Sequence, residues 1–346
     1  MKLIRVLLAL ALTVTLCGVA YVAQLAEPSG SKMTTAAAKL LDSLTPDQKA
    51  KAVLDFDDKE RLNWRFTPRQ DQARKPTRKG LPLEEMNAEQ KQAALGLLRA
   101  GTSPDGAKKA ETIMSLESIL HDLEKGGAMV RNPQWYFFAV FGKPTQTGKW
   151  GWRVEGHHLA LNFVIDAGKL SAATPNFFGA NPATVMAGPR KGLRTLPQAD
   201  DLAMQLFKEL DEGQKKVAYQ EKNFSEIKEG RPEAGVGEPK GLAAAKMSPK
   251  QRDLLMRLLQ AYADRMPEDV AQSEMAQVKE AGLDKVYFAY AGGAEPGKPH
   301  TYRIQGPTFV VEFLNVQADS AKNPANHIHS AWRHLPIDFG LSARRP

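Results

Sequence analysis

The sequence predicts an α+β fold, built from an internally duplicated unit in which helices are followed by an antiparallel β-hairpin. Two observations predict it: similar segments recur 150 positions apart, and similar helix-start signals precede both copies. With 346 residues, 42% of them hydrophobic and 25% charged, the chain is long enough for one large or two ordinary domains and has a globular composition. We expect the two halves to pack about a pseudo-two-fold axis.

The repeated segments have the alternating, aromatic-rich pattern of β-strands joined by turns that contain glycine, proline or lysine. Three pairs match at the offset of 150: Trp135–Val140 with Lys285–Tyr290, Arg153–Gly156 with Arg303–Gly306, and Leu159–Phe163 with Phe309–Phe313. Each half therefore contains one predicted hairpin.

Four helix starts share the pattern cap-x-x-Gln, beginning at Thr45, Asn87, Asp211 and Ser248. This pattern is typical of a capping box, in which the N-cap side chain and the glutamine each satisfy the other's exposed backbone N–H. Leucines at helical spacing follow the last of these starts, from Leu254 to Leu259. We therefore expect helices ahead of each hairpin.

The chain divides into four predicted segments. Residues 1–26 have the order of a secretory signal peptide, with Lys2 and Arg5 before an apolar run, and an uncleaved anchor is the alternative. Residues 27–80 form an N-terminal linker and first helix, 81–200 the first half, and 201–346 the second half with its His-x-His segment. We expect residues 27–346 to form one compact domain of an exported protein, periplasmic or extracellular.

Charge and cysteine content exclude some kinds of partner. The formal net charge is +8, but the basic residues are scattered among acids, so we expect a solvated surface and no nucleic-acid partner. Nothing beyond the leader predicts a membrane contact. The only cysteine, Cys17, lies in the leader, so the exported part has no disulfide framework and no thiolate metal site.

Two histidine pairs are the strongest chemical signal, because imidazole is a common ligand for transition metals. On an extended strand, His327 and His329 project from the same face. With His158 they form a predicted metal site of three histidines, which leaves a position on zinc for water. Zinc is the first expectation, and copper or iron is chemically possible. The alternative is that these histidines only bind loop carbonyls.

Strand alternation separates the residues around the first pair. His157 shares a face with Leu159 and is expected to be a hydrogen-bonded core residue, with metal binding as the alternative. His158 shares the other face with Asn162, whose counterpart in the second half is Glu312. If the halves pack about a two-fold axis, His158 and Glu312 face a common cleft.

Further residues complete the predicted site. Glu312, or alternatively Glu155, can be a ligand or a general base. Asn162 and Arg333 are predicted to orient the substrate. Trp152 and Tyr302 can form an aromatic wall for a ligand, and buried sheet core is the alternative reading of both.

Long motifs resemble one known family, the exported bacterial family, with some fungal members, catalogued as domain of unknown function 3500. The matching motifs are Gly151-Trp152, Glu155–Leu159, Asn162-Phe163, Phe177–Pro182, Tyr302–Pro307, Glu312, Asn326–Ser330 and Trp332-Arg333. The resemblance covers nearly all of the chain after the leader. It implies no particular reaction, since none is established for the family.

Three functional hypotheses follow. The first is an exported metal-dependent enzyme, a hydrolase that uses an activated water on a small-molecule or polymer substrate. The second is a non-catalytic extracytoplasmic module that binds a ligand or partner. The third is a structural envelope protein whose histidines only satisfy buried backbone groups.

Overall fold

The computed structural model describes residues 27–341, so the predicted signal peptide lies outside the described residues. Within that range, no helix has the length and apolar character needed to cross a membrane. The helices are α1 Ser29–Ser43, α2 Pro46–Ala52, α3 Ala88–Ala100, α4 Pro104–Leu123, α5 Pro197–Lys208, α6 Glu212–Ala218, α7 Pro249–Ala263 and α8 Glu268–Glu280. The strands are β1 Val53–Leu54, β2 Leu81–Pro82, β3 Phe137–Phe141, β4 Lys149–Gly156, β5 Leu159–Asp166, β6 Lys169–Ala172, β7 Asn176–Ala180, β8 Leu242–Ala243, β9 Tyr287–Gly292, β10 His300–Gln305, β11 Phe309–Gln317 and β12 His327–His334.

These strands form one mostly antiparallel sheet, so the protein is a mixed α/β protein. The strand order is β1-β3-β4-β5-β7-β12-β11-β10-β9-β8, with β2 added to β3 and β6 added to β5. Strands from the first half of the chain therefore lie on one side of the sheet, and strands from the second half lie on the other. The two groups meet where β7 pairs with β12, with Ile328 opposite Ala180 and Trp332 opposite Asn176.

Both predicted hairpins are confirmed, as β3–β4 and β9–β10. A further turn breaks the predicted second strand of each, so a third strand follows: Arg153 of β4 lies opposite Asn162 of β5, and Arg303 of β10 lies opposite Glu312 of β11. All four predicted capping boxes are also confirmed, at α2, α3, α6 and α7. These features depend on residues close together in the chain, which is why the sequence pattern was sufficient to find them.

The two faces of the sheet are buried in different ways. The main apolar core lies between one face and the helices, and it includes Leu159, Leu161 and Phe163 of β5. The opposite face is covered by two largely irregular stretches, residues 55–80 and 219–241, which we call the covering segments. Trp64 and Ile227 of these segments pack there in a smaller core. The candidate site lies on this second face.

Candidate metal centre

A two-residue turn between β4 and β5 places His158 at the middle of the sheet. His158 has a φ of 63°, in the left-handed region that is uncommon outside glycine. Its N–H donates to the Phe66 carbonyl (2.9 Å), and its carbonyl accepts from the Gly179 N–H (2.8 Å). These bonds connect the turn to a covering segment and to β7, so the His158 backbone is held from both sides.

The imidazoles of His158, His327 and His329 converge through their Nε2 atoms. The Nε2 of His158 lies 2.7 Å from that of His327 and 3.2 Å from that of His329, and the latter two are 3.1 Å apart. Nitrogens bound at about 2.05 Å would lie roughly 3.3 Å apart in a tetrahedron and about 2.9 Å apart on an octahedral face. The triangle is therefore the size that one metal ion requires.

Hydrogen bonding and burial of the rings also favour a metal ion. The Nδ1 of His329 lies 2.9 Å from a carboxylate oxygen of Glu226, so Nδ1–H donates to the carboxylate and Nε2 faces the cluster. Burial lowers the pKa of His158 well below its usual range. Burial, followed by the nearby His329, lowers the pKa of His327 to about 2. The lowered pKa values favour neutral rings at His158 and His327, whose Nε2 atoms then offer lone pairs to a cation beside Nε2 of His329.

Burial is unequal around the cluster. His158 is 3% exposed and His329 is 7% exposed, whereas His327 is only half-buried. The ring of His329 packs edge-on against Phe66, with centroids 5.2 Å apart. Solvent therefore reaches the cluster from the side of His327, and aromatic side chains close the side of His329.

Gly179 of β7 leaves the space that the His158 ring occupies. A Cβ at this position would lie 2.9 Å from Cδ2 of His158 and 2.8 Å from the Ile328 carbonyl oxygen. Real Cβ atoms do not approach backbone so closely. Glycine is thus required here for close packing of a strand against an imidazole.

His157 is not one of the three histidines whose Nε2 atoms converge, although its ring centroid lies only 3.7 Å from that of His158. Its Nδ1 is 2.5 Å from Oε1 of Glu117 on α4 and 3.2 Å from Nη1 of Arg131. Burial lowers its pKa. Glu117, His157 and His158 form a second group of potential ligands, but the guanidinium of Arg131 already supplies a positive charge there. This group fits a metal ion less well than the three histidines do.

The predicted carboxylates lie outside the first group of ligands. In residues 27–341, the atoms that converge around His158 and the His-x-His pair come from the three histidines alone. Glu312 is on the neighbouring strand, paired with Arg303 at 3.0 Å, and burial raises its pKa although Arg303 opposes this. Glu155 is buried against Arg153 (3.0 Å) and holds a covering segment by accepting from the Arg65 N–H (2.9 Å).

Two of the predicted substrate-orienting groups make structural contacts. Arg333 is fully buried and donates to Asp338 (2.7 Å) and to the carbonyls of Lys228 and Arg231 (both 3.0 Å). Asn162 donates to the Pro175 carbonyl at 2.9 Å. Both side chains are occupied in joining the sheet to other segments.

The predicted aromatic wall does not reach the site. Trp152 is stacked on Phe163, with ring centroids 4.4 Å apart, inside the helix-side core. The Tyr302 hydroxyl donates to the Ala199 carbonyl (2.8 Å) in the same core. Both rings lie on the opposite face of the sheet from His329, so the alternative reading, buried sheet core, describes their positions.

Sequence reasoning missed Glu226 and Gly179. Glu226 lies in a Lys-, Glu- and Gly-rich stretch with no regular periodicity, so nothing near it in the chain indicates a contact with histidine. Burial acts to raise its pKa, but the hydrogen bond from His329 outweighs this, so the pKa of Glu226 lies below its usual value. The carboxylate is thus held ionised beside the ring that it orients.

Fold and site together define a mixed α/β protein with a buried cluster of three histidines that can hold a metal ion. The chain belongs to the family described as protein of unknown function (DUF3500), whose model matches residues 27–341. The family predicted from the motifs is therefore confirmed. No curated protein and no solved structure matches the chain.

Proposed function

We propose that the protein is an exported metal-dependent enzyme in which His158, His327 and His329 bind one divalent metal ion, with zinc as the first candidate. The observation that carries the proposal is the convergence of three Nε2 atoms within 3.2 Å of one another. Three imidazoles leave a position on zinc for a water molecule whose pKa the ion lowers, and this favours hydrolysis as the reaction class.

The surrounding residues have distinct parts in this proposal. Glu226 orients the ring of His329 through Nδ1, and burial favours the neutral forms of His158 and His327, which can bind a cation. The aromatic packing of Phe66 on His329 excludes water from one side and leaves the side of His327 for a substrate. Glu312 remains the candidate for proton transfer, because its Oε2 is buried without a partner among the described residues.

We also propose that the chain arose by internal duplication, with halves related by a pseudo-two-fold axis. Matching side-chain pairs support this. The amides of Gln48 and Gln90 bond each other (2.9 and 3.1 Å), and those of Gln214 and Gln251 do the same in the second half (2.8 and 3.0 Å). The metal site would then be a later addition where the copies meet.

A non-catalytic, extracytoplasmic binding protein is the second candidate. The observation that favours it is that Arg333 and Glu312, the groups expected to take part in catalysis, both form buried ion pairs. A protein that only stores or carries a metal ion needs the three histidines and nothing more.

Elemental analysis of protein purified without a histidine tag tests metal binding. We expect about one zinc, copper or iron ion per chain, the number that a single three-histidine site holds. The double variant His327→Ala/His329→Ala should lose this metal and keep its circular dichroism spectrum. His121→Ala, an exposed histidine on α4, is the control and should keep the metal. Metal-free protein that also fails to bind all three added metals would overturn the proposal.

Substrate turnover separates the two candidates. Metal-loaded protein is screened against ester, amide, phosphoester and glycoside substrates, with the His327→Ala/His329→Ala variant as the blank. Hydrolysis by the loaded protein alone supports the enzyme. Metal binding without turnover of any class supports the binding protein.

A further inference from the structure

We infer that a polar cleft beside the three-histidine cluster binds the anionic group, a carboxylate or a phosphate, of a small ligand. The cleft has a volume of about 540 Å³, within the range of small-molecule sites. One wall is the covering segment 219–241 and the other is Arg303 of β10. We call it the Arg303 cleft, and its polar lining includes Gln220, Lys222, Asn223, Ser225 and Lys240.

The charge of the lining favours an anion. Lys222, Lys240 and Arg303 line the cleft, and Glu221 is the only acid among the lining residues. Both lysines are exposed, and neither forms an ion pair within residues 27–341. Neutral donors of the same segment lie between them. A carboxylate or phosphate entering the cleft therefore meets an excess of positive charge.

Arg303 supplies a fixed donor at the base of the cleft. Its guanidinium lies 4.5 Å from the centroid of the Phe224 ring, donates to Glu312 (3.0 Å) and donates to the Val236 carbonyl (3.2 Å). It is 9% exposed, and its buried Nε has no hydrogen-bond partner among the described residues. The contacts with Phe224, Glu312 and Val236 hold the guanidinium in one position at the border of the cleft, where its charge attracts an anionic group.

The cleft adjoins the proposed metal site. Ser225 lines the cleft, and the next residue, Glu226, holds His329. Arg303 lies opposite Glu312, which lies opposite Ala331, two residues from His329 on the same strand face. With strands about 4.8 Å apart and two residues spanning about 6.8 Å along β12, the backbones of Arg303 and His329 lie roughly 12 Å apart. If the proposed function holds, the substrate carries its anionic group at about this distance from the reacting bond.

Calorimetric titration of metal-free protein with inorganic phosphate and with succinate, at constant ionic strength, tests the cleft directly. We expect binding tighter than about 1 mM for at least one anion. The variant Lys222→Gln/Lys240→Gln should bind it about 10-fold more weakly, since two nearby positive charges are removed. The variant Lys49→Gln/Lys279→Gln, which loses two exposed lysines elsewhere, is the matched control.

The outcomes separate this inference from the metal site. Weaker anion binding by the Lys222→Gln/Lys240→Gln variant, with unchanged zinc affinity, supports anion binding in the cleft. The anion with the higher affinity, phosphate or succinate, then identifies the group that the cleft prefers. No binding of either anion, or equal loss in both lysine variants, overturns it. Failure to bind zinc with intact anion binding would remove the proposed function and the assignment as substrate, and would leave an anion-binding cleft.

Discussion

The β4–β5 hairpin and the β10–β11 hairpin place an arginine at the same register but use it differently. Arg153 is 1% exposed, and it donates to the carbonyl and carboxylate of Glu60 (both 2.9 Å) and lies 3.0 Å from Glu155. Arg303 donates to Glu312 and to the Val236 carbonyl, and it borders an open cleft. The covering segments therefore decide whether an equivalent side chain has a structural role or is available to a ligand.

The turns of the two hairpins differ in the same way. The first turn carries His157 and His158 and lies against β7, where the two halves of the sheet meet. The second carries Pro307 and Thr308, and the Thr308 carbonyl accepts from the Leu335 N–H (2.8 Å) beyond the end of β12. Histidines in the first turn can reach β12 across this junction, which explains why the candidate site belongs to that turn alone.

The largest expected effect is on stability, and it distinguishes Arg153 from Arg303. Arg153→Met leaves Glu155 buried without its closest cation, and we expect it to lower the free energy of unfolding by about 3–5 kcal/mol. Arg303→Met should cost roughly half as much, because Arg153 also holds Glu60 through two hydrogen bonds, whereas Arg303 has one further bond, to the Val236 carbonyl. Urea unfolding of both variants at pH 7 measures the difference. Equal losses of unfolding free energy would mean that the two arginines contribute equally to stability, which would contradict the proposed difference between them.

A smaller effect is expected at the contact between a covering segment and the histidine cluster. Glu226→Ala should weaken zinc binding about 10–100-fold, as removal of a carboxylate behind a metal-binding histidine usually does. Glu226→Gln should weaken it less, because the amide oxygen still accepts from Nδ1 of His329. Competition with a fluorescent zinc chelator measures both. Glu233→Ala, an exposed acid of the same segment, is the control, and an equal effect there would point to a general charge effect.

The smallest effect concerns the end of β12, which extends beyond its pairing with β7. Burial acts to lower the pKa of His334, but the hydrogen bond with Glu274 of α8 prevails and raises it. A raised histidine pKa stabilises the fold below about pH 6.5, and this stability is lost as the pH rises through the folded-state pKa. Glu274→Gln should therefore cost about 1 kcal/mol at pH 5.5 and less at pH 8, by urea unfolding. A cost that is independent of pH would contradict this.

Local sequence patterns predicted the features that depend on neighbours in the chain. The capping boxes, such as that of Asn87 and Gln90, need only a short stretch of sequence. Strand alternation is equally local, and it placed His327 and His329 on one face of β12. Its use for His157 and His158 was wrong, because both lie in the turn between β4 and β5 and not on a strand. Contacts with distant residues were not predictable in this way: Arg333 donates to the carbonyls of Lys228 and Arg231 in a covering segment, and no pattern near Arg333 indicates them.

The sequence by itself determined the family, the two hairpins, the helix starts and the histidines that are chemically able to bind a metal. Only the tertiary structure decided that they meet, since His158 and His327 are 169 positions apart and come together only when β7 pairs with β12. Only the tertiary structure identified Glu226 and Gly179 as part of the site. Glu226 orients the His329 ring and Gly179 makes room for the His158 ring, and both contacts join segments that are distant in sequence. Sequence patterns reflect the local preference of residues for helix, strand or turn. Whether distant side chains meet in one site depends on how the strands pair.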